Sequence, residues 1–142
     1  MAAFLMNNDA LSFVVLCLAT RDTFPSPLPV PVAIAGGALL IAAGLGVKLW
    51  AASALGPAAY YWGNFFRDEP AVAPSLTGPY RWLDNPMYTV GYLHAYGFAL
   101  ATQSVPGLFA AVFDQAAILA FHYLVERPHF ALLMKQAPGQ SR

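Results

Sequence analysis

Four apolar segments follow one another along the chain, and short polar stretches separate them. The segments cover about 2–20, 30–55, 86–102 and 106–125. The second is unambiguous as a span, because a membrane-crossing helix needs about 20 apolar residues. The first is interrupted by Asn7, Asn8 and Asp9, so it is either a marginal span or an interfacial helix. The pattern predicts an all-α bundle of about four transmembrane helices, or three if the first segment does not span.

The composition favours lipid rather than water as the solvent. Of the 142 residues, 58% are hydrophobic and 10% are charged, and the mean hydropathy is +0.54. Soluble domains carry about 25% charged residues, and a chain this short cannot bury so much apolar material. We therefore expect one integral membrane domain over 1–142. The net charge of zero argues against a nucleic-acid partner, and the lone Cys17 excludes an internal disulfide.

The third and fourth segments are joined by the short sequence QSVP, which predicts a C-terminal antiparallel hairpin. This loop carries no Lys or Arg. The 60–85 region carries Arg67 and Arg81, and the C-terminal tail carries Arg127, Lys135 and Arg142. The positive-inside rule places that region and the tail, which we expect to begin as a short helix, on the cytoplasmic side. The motifs YRWLDNPMY and HYLVERPHF, at the two open ends of the hairpin, should then be neighbours.

The motif DNPMY places polar residues at the mouth of the third apolar segment. Pro86 suits the first turn of a helix, and Asn85 or Asp84 can cap the exposed N–H groups. An ordinary helix start would explain the capping residue and the proline without any functional site. Capping does not explain Tyr88 and Tyr92. These two tyrosines are four residues apart and share one helix face. They belong either to a site or to an ordinary aromatic belt at the interface.

The motif HYLVERPHF ends the fourth segment with an acid, although a helix C-terminus prefers cations. Glu126 can face His122 at the i, i+4 spacing. A positive group should also face Glu126, and the candidates are Arg81, Arg127 and a cationic ligand. The alternative is a surface ion pair. A metal site is disfavoured, because the remaining histidines are not clearly placed around one acid.

Two further features are open to more than one interpretation. The stretch YYWGNFF, 60–66, is an aromatic cluster that an interfacial anchor would explain. Asp114 lies inside the fourth apolar segment, where an acid is a functional candidate by default. It is about 12 residues from Glu126, roughly 18 Å along a helix, so we expect it outside the same site.

Taken together, YYWGNFF, NPMYTVGY and LVERPHF resemble three landmarks of the phosphatidylethanolamine N-methyltransferases, and most of all the fungal class. The wider superfamily includes the isoprenylcysteine carboxyl methyltransferases. The resemblance covers about 47–136. It implies an integral membrane enzyme that uses S-adenosylmethionine, bound at the cytoplasmic end of the hairpin. The implied product is a phospholipid with a methylated amine, formed on the pathway to phosphatidylcholine.

The resemblance also implies a set of site residues. The cofactor is expected at Asn85, Pro86, Met87, Tyr88, Gly91 and Glu126, with a looser match at Gly44 and Gly46 that helix packing explains equally well. The sequence departs from the superfamily at two positions: Asn85 stands where His is frequent, and Arg127 stands where a second acid is frequent.

Methylation of a lipid amine needs a proton acceptor, because an ammonium group has no lone pair. The candidate acceptors are His129, Asp84 and His122. Binding of the acceptor lipid, by cation–π contact and by phosphate recognition, is expected at Trp62, Asn64, Arg81 and Tyr92. The alternatives are a related methyltransferase with another acceptor, such as a prenylcysteine carboxylate, a sterol-type membrane reductase, and a non-catalytic membrane protein.

Overall fold

A computed structural model of the chain describes residues 2–55 and 77–128, with side chains described over 9–54 and 77–128. Within these ranges the chain is helical and contains no strand. Four α-helices follow in order: α1 (Ala2–Ala19), α2 (Val30–Leu55), α3 (Leu93–Ala101) and α4 (Val105–Phe121). Two 3₁₀ turns, Gly78–Arg81 and Val90–Tyr92, precede α3, and a π turn, His122–Glu126, extends α4.

Two helices are long and apolar enough to cross a membrane. They are Val30–Ala54, within α2, and Val105–Glu126, which is α4 with its π turn. Large apolar side chains project outward from both: Leu39 is 73% exposed, and Phe113 is also 73% exposed. These helices confirm the second and fourth predicted segments. In α1, the apolar stretch is the shorter Asp9–Ala19.

The third predicted segment, 86–102, is only partly α-helical. The α-helix begins at Leu93 and has 9 residues, about 14 Å at 1.5 Å per residue. The hydrocarbon core of a bilayer is about 30 Å thick. Before Leu93 the chain forms turns, and the Thr89 hydroxyl donates to the Asn85 carbonyl at 2.7 Å. The Thr89 N–H bonds the same carbonyl at 3.1 Å, but the Gly91 N–H bonds the Pro86 carbonyl, five residues back, so the α-helical pattern is interrupted before Leu93.

Helices α2 and α3 pack with their backbones almost touching. A Cβ atom on Gly37 would lie 2.5 Å from the Gly97 carbonyl oxygen, and one on Gly97 would lie 2.5 Å from the Gly37 oxygen. Further along, Gly44 faces the backbone of His94. Since position 37 meets 97 and position 44 meets 94, the two helices run antiparallel. Small residues permit this approach, which positions the turn that precedes α3.

The opposite end of α3 is joined to α4 by Thr102–Ser104. Ser104 caps α4 by accepting a hydrogen bond from the Gly107 N–H at 2.9 Å. The Ser104 and Thr20 hydroxyls are 2.6 Å apart, so the end of α1 is attached here. Gln103 bonds both backbone groups of Leu28, with its Oε1 2.6 Å from the amide nitrogen. These contacts set the position of α4 relative to the rest of the chain.

Candidate functional site

A buried group of polar side chains joins the turn before α3 to the end of α4. The Tyr88 hydroxyl donates to Glu126 Oε1 at 3.2 Å. His122 Nδ1 lies 2.7 Å from the other oxygen of the same carboxylate. Glu126 is only 5% exposed. The structure therefore brings together two motifs that are far apart in sequence.

The turn that carries Tyr88 is held by Asn85 and Pro86. The side-chain oxygen of Asn85 accepts a hydrogen bond from the Tyr88 N–H at 3.1 Å, so Asn85 is the capping residue that the sequence suggested. Pro86 is fully buried, and its carbonyl accepts from the Gly91 N–H at 2.8 Å. Gly91 has no room for a side chain, because a Cβ atom there would lie 2.8 Å from Lys48 Cγ. The Tyr88 backbone is thus fixed from both sides.

Gln115 of α4 braces the same turn, a role that no sequence motif predicted. Its Nε2 group donates to the carbonyl of Tyr88 at 3.1 Å and to the carbonyl of Thr89 at 3.2 Å. Its Oε1 accepts from the Tyr96 hydroxyl at 2.6 Å. A buried carbonyl without a donor is costly, so Gln115 ties the mouth of α3 to the middle of α4.

Glu126 sits on the π turn that ends α4. The Arg127 N–H bonds the His122 carbonyl, five residues back. Pro128 follows, and a proline has no N–H for the preceding turn. The widened turn keeps His122 and Glu126 together on the side that faces Tyr88, whose ring lies 5.9 Å from the imidazole, edge to face. Single π turns inside α-helices are frequent at functional sites.

Two partners approach the same nitrogen of His122. Besides Glu126, the Asn85 side-chain nitrogen lies 3.3 Å from Nδ1. An Nδ1 that carries a proton donates to the carboxylate and cannot accept from the amide. The shorter distance, 2.7 Å to Glu126, favours the donating form. The Nδ1–H of His122 therefore donates to the Glu126 carboxylate, and Nε2 is the ring nitrogen that can gain or lose a proton.

The Tyr80 hydroxyl is a second feature that the sequence did not single out. Its oxygen is buried and has no hydrogen-bond partner among the described residues. Burial, and secondarily the charge of Glu126, raises the pKa of Tyr80 to about 12. A buried donor without an acceptor is unfavourable. The Tyr80 hydroxyl therefore stays neutral at ordinary pH and keeps a donor that no described residue uses.

Within 9–54 and 77–128, the charged side chains near the site do not supply Glu126 with a Lys or Arg partner. Arg127 lies 3.9 Å from Asp84, and both side chains are largely exposed. The Arg81 guanidinium stacks 5.7 Å from the exposed Trp82 ring. Over 9–54 and 77–128, no Lys or Arg lies within ion-pair distance of Glu126. The sequence suggested Arg81, Arg127 or a cationic ligand as the positive partner of Glu126. Because neither arginine is close to Glu126, the cationic ligand is the remaining candidate.

The other predicted site residues fall into three groups. Asp84 and Arg81 lie outside the buried cluster, at the exposed edge. Gly44 is packed against the backbones of Gly91 and His94, whereas Gly46 has open space around it. Met87 is half-buried in the turn, and Tyr92 contacts Lys48, whose Nζ lies 5.4 Å from the ring centroid. Trp62, Asn64, His129 and the predicted tail helix lie outside the described residues.

Comparison with known proteins places the chain in a family. Residues 32–136 match the sequence profile of the phospholipid methyltransferases. Relatives named phosphatidylethanolamine N-methyltransferase are 34% identical over 106 residues in Clavispora lusitaniae and 33% identical over 132 residues in Talaromyces marneffei. A third, from Aspergillus flavus, is 36% identical over 108 residues.

The aligned regions make up 74%, 92% and 75% of this chain, respectively. They make up only 12%, 13% and 11% of those relatives, so the chain spans about an eighth of their length. No solved structure matches the chain. The profile match, which extends from α2 to beyond α4 and contains both halves of the buried cluster, establishes that this chain belongs to the phospholipid methyltransferase family.

Proposed function

We propose that this protein is a membrane enzyme that transfers a methyl group from S-adenosylmethionine to the amine of a phosphatidylethanolamine-type head group. The observation that supports this most directly is the buried Glu126 carboxylate, which faces hydroxyl and imidazole groups but no described Lys or Arg. A buried charge is stable only when it is paired. A cationic ligand supplies the missing pair.

The chemistry of these side chains fits S-adenosylmethionine. When bound, this cofactor supplies an electrophilic methyl group on a sulfonium cation. The Glu126 carboxylate attracts its positive charge or accepts from its hydroxyls, and the unpartnered Tyr80 hydroxyl donates to an acceptor atom. Asn85 and Tyr88 line the same space, with Pro86 and Met87 in the turn behind them. Gly91 acts through packing, because Lys48 fills the room beside it.

The acceptor amine must lose its proton before it can attack the methyl group, so the site needs a base. His122 is the best placed of the candidate bases, because its Nδ1 is held by Glu126 and its Nε2 can take a proton. Asp84 is exposed beside Arg127, and His129 remains a candidate base on sequence grounds. Exclusion of water by the apolar surroundings strengthens all these electrostatic contacts.

The proposed enzyme lies in the membrane, with α2 and α4 as its long spans and the cluster at the cytoplasmic face. The two apolar helices support membrane residence. The basic residues beyond the ends of α2 and α4 support the orientation, by the positive-inside rule. The water-soluble cofactor then arrives from the cytoplasm, and the lipid arrives sideways from the inner leaflet.

One experiment tests the cofactor and the acceptor together. Membranes that contain the protein are supplied with methyl-labelled S-adenosylmethionine, and the lipids are then resolved. We expect label in mono-, di- or trimethylated phosphatidylethanolamine. Label confined to protein or to a water-soluble product would identify another acceptor and overturn the lipid assignment.

The matched variants are Glu126→Gln and Asp22→Asn. The first removes the buried charge and keeps its shape, and the second does the same to an exposed acid paired with Arg21. Loss of a charge-assisted contact costs about 1.5–3 kcal/mol, so the Kd for S-adenosylmethionine should rise at least tenfold in Glu126→Gln. Equal affinity in the two variants would remove Glu126 from the cofactor site.

A further inference from the structure

Two exposed tryptophans lie side by side where α2 ends. Trp50 belongs to the last turns of α2 and is 48% exposed, whereas Trp82 follows the 3₁₀ turn Gly78–Arg81 and is 70% exposed. Their ring centroids are 6.0 Å apart. Adjacent apolar rings that face outward mark a contact with a partner or with a membrane. We name these two rings, together with the exposed Arg81, the tryptophan–arginine surface.

The turn that carries Trp82 is fixed against α2. Gly78 has a φ of +58°, and a Cβ atom there would lie 3.2 Å from Trp50 Nε1 and 3.1 Å from Ala54 Cβ. Glycine alone adopts this conformation readily and permits so close an approach. Pro79, the next residue of the turn, is buried. Packing of the turn therefore holds the two tryptophan rings together at the end of α2.

Arg81 adds a positive charge to this surface. Its guanidinium carbon lies 5.7 Å from the centroid of the Trp82 ring. Among the side chains of 9–54 and 77–128, no acid lies within ion-pair distance of Arg81. Asp84, three positions further on, pairs instead with Arg127 at 3.9 Å. The planar fork of N–H donors on a guanidinium suits a phosphate group, so Arg81 is available to a phosphate outside the protein.

The tryptophan–arginine surface continues the lipid-facing side of α2. Leu39 is 73% exposed and Leu49 is 72% exposed, and Leu39 precedes Trp50 by about three turns on the same face. From the middle of α2 outward, the exposed side chains thus change from leucine to tryptophan and then to arginine. Tryptophan is enriched at membrane interfaces, and basic side chains next to them are attracted to anionic head groups. This order favours a lipid over a protein as the covering partner.

We propose that the tryptophan–arginine surface binds an anionic phospholipid from the surrounding leaflet. The Arg81 guanidinium donates to the phosphate oxygens, and the rings of Trp50 and Trp82 lie against the glycerol and the upper acyl chains. A zwitterionic head group binds less tightly, because its own ammonium group repels the guanidinium. This lipid is distinct from the acceptor of the proposed methyl transfer, since Arg81 lies at the exposed edge, outside the buried cluster.

Fluorescence quenching by brominated lipids measures which lipid lies against these rings. The protein is reconstituted in vesicles of equal parts phosphatidylcholine and phosphatidylglycerol, and the bromines, placed close to the head group, are carried by one lipid or by the other. The two bilayers then differ only in which lipid quenches. The difference between the wild type and Trp82→Phe isolates the emission of Trp82. We expect phosphatidylglycerol to be enriched about fivefold at Trp82, as the attraction of one basic side chain to anionic lipid gives.

Variants of Arg81 test the origin of this enrichment. Arg81→Gln should abolish it, and Arg81→Lys, which keeps the charge, should retain part of it. Arg21→Gln is the matched control, because Arg21 is exposed and paired with Asp22 in the turn after α1. Since Arg81 is exposed, Arg81→Gln should fold normally, and unchanged total quenching with both lipids brominated reports this.

Three results would overturn the proposal. Equal quenching by the two lipids in the wild type would remove the anionic preference. The same enrichment in Arg81→Gln as in Arg21→Gln would remove Arg81 from the site. Absence of Trp82 quenching by either lipid would show that lipid does not cover this surface. None of these results depends on methyl transfer, so the proposed function stands or falls separately.

Discussion

Tyr88 and Glu126 are 38 positions apart in sequence, and the hydroxyl of the first lies 3.2 Å from a carboxylate oxygen of the second. One residue belongs to the turn before α3 and the other to the π turn after α4. The bond therefore closes the open ends of the last two helices against each other. Any molecule that binds Glu126 also meets the tyrosine.

The Tyr88→Phe variant should weaken cofactor binding and lower stability together. The substitution removes one donor from a buried carboxylate, at a cost of about 1.5–3 kcal/mol. We expect a rise of tenfold or more in the Kd for S-adenosylmethionine and a lower Tm, measured in the same detergent. Tyr123→Phe is the control, because that ring is 48% exposed and lies against Arg127. If the two variants behaved alike, the Tyr88–Glu126 bond would have no role in either property.

Replacement of Gln115 should lower the stability of the protein, because this side chain bonds the turn that carries Tyr88. Gln115→Leu removes the side-chain donor that reaches the Tyr88 and Thr89 carbonyls and the acceptor of the Tyr96 hydroxyl, while the Thr89 carbonyl keeps its bond from the Tyr92 N–H. Each lost hydrogen bond costs about 0.5–1.5 kcal/mol, so we expect a clear fall in Tm. A Tm for Gln115→Leu equal to that of the wild type would contradict the bracing role.

Gly44 and Gly46 should respond in opposite ways to substitution by alanine. A Cβ atom at Gly44 meets the backbone of His94, whereas at Gly46 it meets nothing within 4 Å. Overpacking costs about 1–3 kcal/mol, so Gly44→Ala should lower the Tm. Gly46→Ala should be neutral or stabilising, because alanine favours helix by up to about 1 kcal/mol. A Gly46→Ala variant with normal stability but a raised Kd for S-adenosylmethionine would instead support the cofactor role predicted for this glycine pair.

Tyr80 should make stability sensitive to alkaline pH. The pKa of Tyr80 is raised to about 12 by burial and then by the charge of Glu126, from the ordinary value of about 10. Since the folded state favours the neutral phenol, this contribution is complete below pH 10 and is lost as the pH rises from 10 to 12. The Tm of the wild type should therefore fall more steeply across this window than that of Tyr80→Phe. Parallel curves would show that the hydroxyl does not titrate there.

The sequence was sufficient for the features that depend on long-range pattern. Apolar length predicted α2 and α4, and the unfavourable acid at the end of α4 pointed to Glu126. The short QSVP connection predicted that the Tyr88 and Glu126 motifs would meet, and the structure brings these two residues into contact. These inferences use only periodicity, helix ends and connection length.

Other features depend on three-dimensional contacts that no local pattern encodes. Gln115 is a lone amide in an apolar helix, and only the fold shows which carbonyls it bonds. Tyr80 lies in a polar stretch, and its burial follows from packing rather than from its neighbours in sequence. The late start of α3 follows from the turns before Leu93, where the Gly91 N–H bonds the Pro86 carbonyl five residues back, although the stretch has an apolar, helix-like pattern.

The direction in which Glu126 points about the axis of α4 depends on the number of residues in the π turn His122–Glu126. A π turn accommodates one more residue than an α-helical turn, and each α-helical residue adds about 100° of rotation. Deletion of the exposed Leu124 within this turn would restore α-helical spacing and leave the angle between Glu126 and Gln115 about the helix axis nearly unchanged. Deletion of Leu119, before the turn, would rotate Glu126 by about 100° away from Tyr88. In this chain, a one-residue deletion near the end of α4 should therefore preserve the Tyr88–Glu126 contact only if it falls inside the π turn.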